Sequence, residues 1–340
     1  MALNLLLFLL GLALAALTLR DVFETVIVPG ASHASLRIAH RLVVVLLPAW
    51  KWIRGRRRAL SGTFAPVVLV GSFVIWMSLL AIGFALMAMG VRWSFRPAID
   101  GFGEAIYVVG SALVTIGVGE THPFGIGRAI VLGAGFCGLA VMTMAVTYLL
   151  EVQTSIARRD TGIMKLNTSA GEPPSALTLL ERFAAIRNQP ELPDVLREGR
   201  DWCAIVRQSH AAHPSLVYFR TDRTGAGWPA ALGALLDLAL IVELCLDEED
   251  LYGPAVLLGD DGTRMALDLA RVIGLKPQDE VTSEAELDQL AKRLAHCGYR
   301  VRPRLDLAAM ASRRARYQSC VDALADHLGK PTAVLLRRDL

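Results

Sequence analysis

The chain has 340 residues, of which 54% are hydrophobic and 20% charged, with a formal net charge of +3. That hydrophobicity exceeds ordinary soluble usage, and the slight positive charge makes no case for a nucleic-acid partner. The five cysteines (Cys137, Cys203, Cys245, Cys297, Cys320) are scattered, odd in number and never in a CxxC spacing, which speaks against a disulfide framework or a structural zinc site.

Apolar residues concentrate before about Leu150 and charge concentrates after it, so the two portions meet different solvents. The reading divides the chain into an N-terminal helical part (1–60), a membrane core (61–155) and a cytoplasmic, mostly helical domain (156–340). Stretch 3–19 reads as a retained membrane helix, because it lacks the positive n-region and the small-x-small cleavage site of a secretory signal. Stretch 35–50 is interrupted by Arg37, His40 and Arg41 before an apolar run. It reads as an interfacial helix or a second membrane helix, which leaves three or four spans open.

Stretches 64–91 and 129–150 contain no charged residue and are long enough for the ~20 residues that cross the hydrocarbon core. The basic cluster Lys51, Arg54, Arg56, Arg57 and Arg58 precedes the first, and Arg158 and Arg159 follow the second. Positive charge flanks spans on the cytoplasmic side, so the connection between them faces outward. That connection contains a short amphiphilic segment and then TIGVGETHP, which reads as chain re-entering the membrane.

Beyond residue 162 the periodicity predicts helices at 177–188, 191–210, 228–246, 263–273, 284–297 and 305–328, strands at 216–219 and 255–258, and a connector at 168–174. Ser283 and Glu286 have capping-box spacing. Stretch 228–246 is apolar enough to imitate a span. Asp237 and Glu243 lie inside it, however, and a carboxylate near a helix centre costs roughly 2.5–3.5 kcal/mol in a membrane. A buried helix of the soluble domain is expected there. The acidic, glycine-containing stretch 258–263 reads as a turn before a helix, with cation binding as the alternative.

A potassium ion can shed its water in a pore only where rings of oxygen replace it, and backbone carbonyls can form such rings. For successive carbonyls to face one axis, alternate residues must take conformations open to glycine. Gly117 and Gly119 alternate with Ile116 and Val118 in that way, and Thr115 adds a hydroxyl oxygen. The preceding segment, 103–114, has the length of about three helical turns. Its C-terminal end carries partial negative charge toward a cation, while Ile106, Val109 and Leu113 form a packing stripe.

Residues 107–123, YVVGSALVTIGVGETHP, resemble the pore helix and filter signature of the potassium-channel superfamily, usually TxGYGD or TxGFGD. They are similar in particular to bacterial channels with two spans around one pore loop. The resemblance covers about residues 64–151. It implies an outer helix at 64–91, a pore helix at 103–114, a filter at 115–119 and an inner helix at 127–152.

It further implies an all-α membrane protein that assembles as a homotetramer, with each subunit joined by three identical ones. Its activity is passive, selective potassium permeation rather than catalysis. Potassium is the permeant ion at Thr115, Ile116, Gly117, Val118 and Gly119, and no cofactor is implied. The expected location is the inner membrane, with the C-terminal domain cytoplasmic and open to an unidentified ligand or partner.

The departures are Val118 in place of Tyr or Phe, Glu120 in place of Asp, and Ser111 where some members carry Glu. Tyr107 stands where relatives place an aromatic that bonds the post-filter carboxylate, so Tyr107, Ser111 and Glu120 are the expected filter supports, with a Tyr107–Glu120 contact. Gly138 is the expected gating bend, with close helix packing of Gly133, Gly135 and Gly138 as the alternative. His122 is either a titratable group at the outer mouth or a loop residue without a role, and Arg128 either balances Glu120 or sits at the interface. The arginine series of a voltage sensor and a strand-bound GxGxxG are both missing. A non-selective cation channel and a membrane-anchored receptor or enzyme are the competing functions.

Overall fold

The computed structural model describes residues 1–28, 38–56, 64–219, 225–275 and 283–336. Arg57, Arg58 and residues 35–37 of the sequence reading lie outside them. Contacts divide the chain into two compact units, Met1–Val152 and Gln153–Leu340.

The first unit holds α1 (Ala2–Val26), α2 (Ile38–Arg56), α3 (Phe64–Gly90), the short α4 (Phe102–Leu113) and the start of α5 (Ile126–Ala170). Between α3 and α4 lies β1 (Phe95–Arg96), which pairs antiparallel with β2 (His122–Pro123) before α5. Where no hydrophobic effect draws helices together, small residues let their backbones approach. Gly11 and Ala15 of α1 do this against Gly83 of α3. A Cβ on Gly11 would stand 2.4 Å from the Gly83 carbonyl oxygen, and one on Gly90 would stand 2.6 Å from that of Asn4. The buried Asp21 carboxylate adds a polar tie, accepting from Trp76 Nε1 at 2.9 Å and from the Ile38 amide at 3.4 Å. Residues Trp76, Leu80, Phe84, Val109, Leu113 and Ile130 lie in the core of this unit.

The second unit comprises the end of α5 and α6 (Ala176–Ala185), α7 (Leu192–Ala212), α8 (Gly227–Leu244), α9 (Glu249–Val272), α10 (Glu284–His296) and α11 (Leu307–Leu328). Its centre is α8, in which every residue from 227 to 243 is buried. Asp237 accepts from Arg314 Nε at 2.8 Å and from the Tyr317 hydroxyl at 2.6 Å, and Glu243 pairs with Arg313. The two carboxylates that would burden a membrane span are thus neutralised by α11. Among the described residues, four helices, α1, α3, α5 and α8, are long and apolar enough to cross a membrane, and α8 is enclosed by its own unit.

Several boundaries differ from expectation. Stretch 255–258 lies inside α9 instead of forming a strand, and 216–219 falls on a 3₁₀ turn, Pro214–Tyr218. Short apolar runs do not distinguish a strand from a buried helix by periodicity alone. The acidic stretch 258–263 is helical as well. Asp261 is held by Arg200 at 2.6 Å, and a Cβ on Gly262 would meet Leu236 at 2.8 Å, so this glycine serves helix contact rather than a turn. Among the described residues, no group of His, Cys, Asp or Glu is arranged to hold a metal ion. Helix α10 starts at Glu284, but the Ser283 side chain makes no cap hydrogen bond. Helix α5 continues well past the expected end at 152.

Candidate functional site

The 115–119 segment is suspended between the two ends of α4, and both ends are tied down. At the N-terminal end, the Glu104 carboxylate accepts from the Asp100 amide at 2.8 Å and from the Thr121 hydroxyl at 2.7 Å. An acid in the first turn of a helix faces its partial positive charge. Glu104 therefore joins the start of α4 to the chain just beyond Glu120. Farther out, the Phe124 amide donates to the Ser94 carbonyl at 2.9 Å, and Arg128 Nε donates to the Pro123 carbonyl at 3.3 Å. Arg128 thus closes the loop instead of meeting Glu120. The exposed His122 stands opposite Arg96 in the antiparallel β1–β2 pair.

At the C-terminal end, the helix unwinds through Val114 and Thr115, whose amides donate to the Gly110 and Ala112 carbonyls at 3.0 and 2.9 Å. The next two amides, of Ile116 and Gly117, both donate to the carbonyl of Ser111, at 2.8 and 3.0 Å. A left-handed residue just past a helix end turns the N–H groups that follow it back toward the last carbonyls of the helix. The structure achieves this with Thr115 at φ 63° and Gly117 at φ 68°. A peptide is planar and these are trans, so each N–H points opposite to the carbonyl of the residue before it. The Thr115 and Ile116 carbonyls therefore both point away from α4.

The left-handed pair is Thr115 and Gly117, not the expected Gly117 and Gly119, because Gly119 is outside that region. A left-handed β-branched residue costs roughly 1–2 kcal/mol. The two bonds to Ser111 hold Thr115 in it. The pattern also reverses at Val118, whose carbonyl turns back toward α4 and accepts from Ser111 Oγ at 2.9 Å. The same hydroxyl lies 2.9 Å from the Val108 carbonyl. Ser111 thus contacts Ile116 and Gly117 through its backbone and Val118 through its side chain.

The expected Tyr107–Glu120 contact is not made within the chain: Tyr107 is exposed, and the carboxylate bonded across this loop is that of Glu104. Glu104 and Thr121 were missed as a pair by sequence reasoning. Its only available signal was the acid in the first turn of α4, since no motif spacing links residue 104 to 121. The packing stripe of α4 comprises Ala105, Val108, Val109 and Leu113, with Ile106 partly buried beside it. Glycine 138 is a contact point. A Cβ there would stand 1.7 Å from the Leu113 carbonyl oxygen, and α5 runs through it as unbroken helix. The close passage of the end of α4 gives that glycine a packing use in this conformation.

All of residues 114–120 are exposed in the single chain, with Ile116 at 67% and Val118 at 53%. On α5, Leu132 and Phe136 are exposed to a similar degree. In the second unit, a cleft is lined by Leu166, Leu179, Phe183, Trp202 and Leu235, beside a Lys165–Glu198 pair at 3.1 Å. Nearby, His210 is buried, with Nδ1 2.8 Å from the Val206 carbonyl and its ring 5.6 Å from that of Trp228. Burial first, and the Arg159 charge second, push the His210 imidazole down to about 3.

These features define an all-α, multi-pass membrane protein whose first unit carries a tethered, partly left-handed loop beside a short helix. Comparison of the chain with protein-family profiles, curated proteins and solved structures finds no significant match.

Proposed function

We propose that the chain is one subunit of a homotetrameric, potassium-selective channel with 115–119 as its filter. The observation that carries this reading is the pair of consecutive Thr115 and Ile116 carbonyls turned away from α4 by the bonds of Ile116 and Gly117 to Ser111. Four such segments around an axis would present stacked rings of backbone oxygen, the arrangement that replaces the hydration shell of potassium. The C-terminal end of α4 lies beside them with the partial negative charge that favours a cation. Exposed Ile116, Val118 and Phe136 would be covered by neighbouring copies. The resemblance of residues 107–123 to the potassium-channel signature supports the same assignment. On this reading α3 is the outer helix, α5 the inner one, and the second unit a cytoplasmic regulatory domain.

A second reading, a weakly selective monovalent-cation pore, is favoured by the Val118 carbonyl, which turns toward Ser111 and reduces the oxygens offered to the ion. Cation flux in liposomes holding the purified full chain separates the two. Potassium flux that barium blocks, that sodium does not replace and that Gly117→Ala abolishes is the expected result. Equal sodium and potassium flux, lost in the same variant, selects the second reading. Barium-insensitive flux retained by Gly117→Ala overturns both.

A further inference from the structure

We infer that Ser111 is a carbonyl latch on the filter: its hydroxyl holds the Val118 carbonyl out of the ion path, and releasing it completes the potassium site. This inference rests on the channel reading above and adds to it the residue that sets the site's occupancy.

The argument starts from one proton. Ser111 Oγ has a single hydrogen and two acceptors at equal distance, the carbonyls of Val108 and Val118, each 2.9 Å away. Val108 belongs to α4, and its carbonyl stays where the helix puts it. Val118 belongs to a segment whose peptides are anchored only as far as Gly117. Rotating the hydroxyl proton from Val118 to Val108 moves no heavy atom of Ser111 and leaves no donor without an acceptor. The released Val118 carbonyl can then turn to the side already occupied by those of Thr115 and Ile116. Glycine at 119 lowers the cost of that rotation, because the Val118–Gly119 peptide turns about one residue without a Cβ.

Two chemically close arrangements therefore exist, one with the Val118 oxygen on Ser111 and one with it on the ion. Potassium binds the second and biases the equilibrium toward it. The apparent affinity is the intrinsic one scaled by the fraction of released filter. The opposing bond is a single neutral hydrogen bond, whose net worth makes its removal shift the balance by about fivefold.

The test is potassium binding to the detergent-purified full chain by isothermal titration, with sodium as the competing ion, which needs no open gate. Ser111→Ala removes the latch and is expected to bind potassium about fivefold more tightly than wild type. Ser111→Thr keeps the hydroxyl and is expected to match wild type, a rescue that a purely structural role for residue 111 does not predict. If wild type binds potassium over sodium and Ser111→Ala binds it equally or more weakly, the latch is wrong and the channel reading stands. If wild type, Ser111→Ala and Ser111→Thr all fail to distinguish potassium from sodium, the potassium-selective reading fails and the latch falls with it.

Discussion

Placing a methyl group at position 138 tests whether α5 is shaped there by packing or by bending. An alanine Cβ would stand 1.7 Å from the Leu113 carbonyl oxygen and 2.6 Å from its carbon. Both atoms are backbone, so no side-chain rotation relieves the contact, and restoring even 3.0 Å requires α4 and α5 to separate by about 1.3 Å. Overpacking of this kind costs about 1–3 kcal/mol. The displaced residue is the last of α4, two positions before Thr115, and it neighbours the Ser111 carbonyl that anchors Ile116 and Gly117. Gly138→Ala is therefore expected to lower the thermal midpoint by several degrees and to weaken potassium binding. Gly133→Ala is the control, because its Cβ would meet only a Phe84 ring carbon at 3.6 Å. Calorimetry and potassium titration on both variants decide the matter. A Gly138→Ala protein with wild-type midpoint and wild-type potassium affinity refutes the packing argument and returns Gly138 to the role of a bend.

Three further outcomes follow from the same geometry. Asp237→Ala leaves the Arg314 charge buried without its carboxylate, at a cost of about 3–5 kcal/mol; denaturant unfolding measures it, and a loss below about 1 kcal/mol would exclude the pair as a stabilising element. His210 has an ordinary value of 6.5 when unfolded and is pushed down to about 3 when folded, by burial and then by Arg159. Above 6.5 both states are neutral and the group contributes nothing to the pH dependence. As pH falls from there toward 3, only the unfolded chain takes the proton, so stability drops with a slope of up to about 1.4 kcal/mol per pH unit. His210→Asn should remove that slope from denaturation midpoints compared at about pH 7 and pH 5, and an unchanged slope would show that His210 accepts its proton in the folded state. Thr121→Val breaks the tie to Glu104 and should make potassium flux through the reconstituted protein decay faster than in wild type; identical time courses would deny the tie any part in holding the loop.

The long helices were legible because their signal is a solvent preference spread over many residues. Even the enclosure of α8 could be argued from Asp237 and Glu243, whose arginine partners α11 supplies. Helix α9 was misread in its first half because Gly253, Gly259, Asp260, Asp261 and Gly262 carry the chemistry of a turn. In the structure, Gly262 makes room for Leu236, and Asp261 faces Arg200 across a helix pair. Both purposes depend on a neighbour remote in sequence, so local pattern could not reveal them. The same limit acts at 115–119. Residue logic puts positive φ on glycine, whereas a bond pattern converging on one carbonyl puts it on Thr115. For Gly138, sequence offered two uses of a small residue, and the neighbour that the packing use requires, Leu113, is visible only in the structure.

The resemblance to potassium channels led to an expected brace between Tyr107 and Glu120, and the chain makes a different one. Its supports are intrachain and come from α4 itself: Glu104 fixes the segment beyond Glu120, while Ser111 takes the Ile116 and Gly117 amides and the Val118 carbonyl. Val118 puts no aromatic ring behind the segment, and the Ser111 hydroxyl holds its backbone carbonyl. A backbone bond of this kind does not require a neighbouring subunit. On the channel reading, each subunit then carries its carbonyl arrangement into assembly, and the tetramer adds cover for Ile116 and Val118 and the symmetry that turns single oxygens into rings.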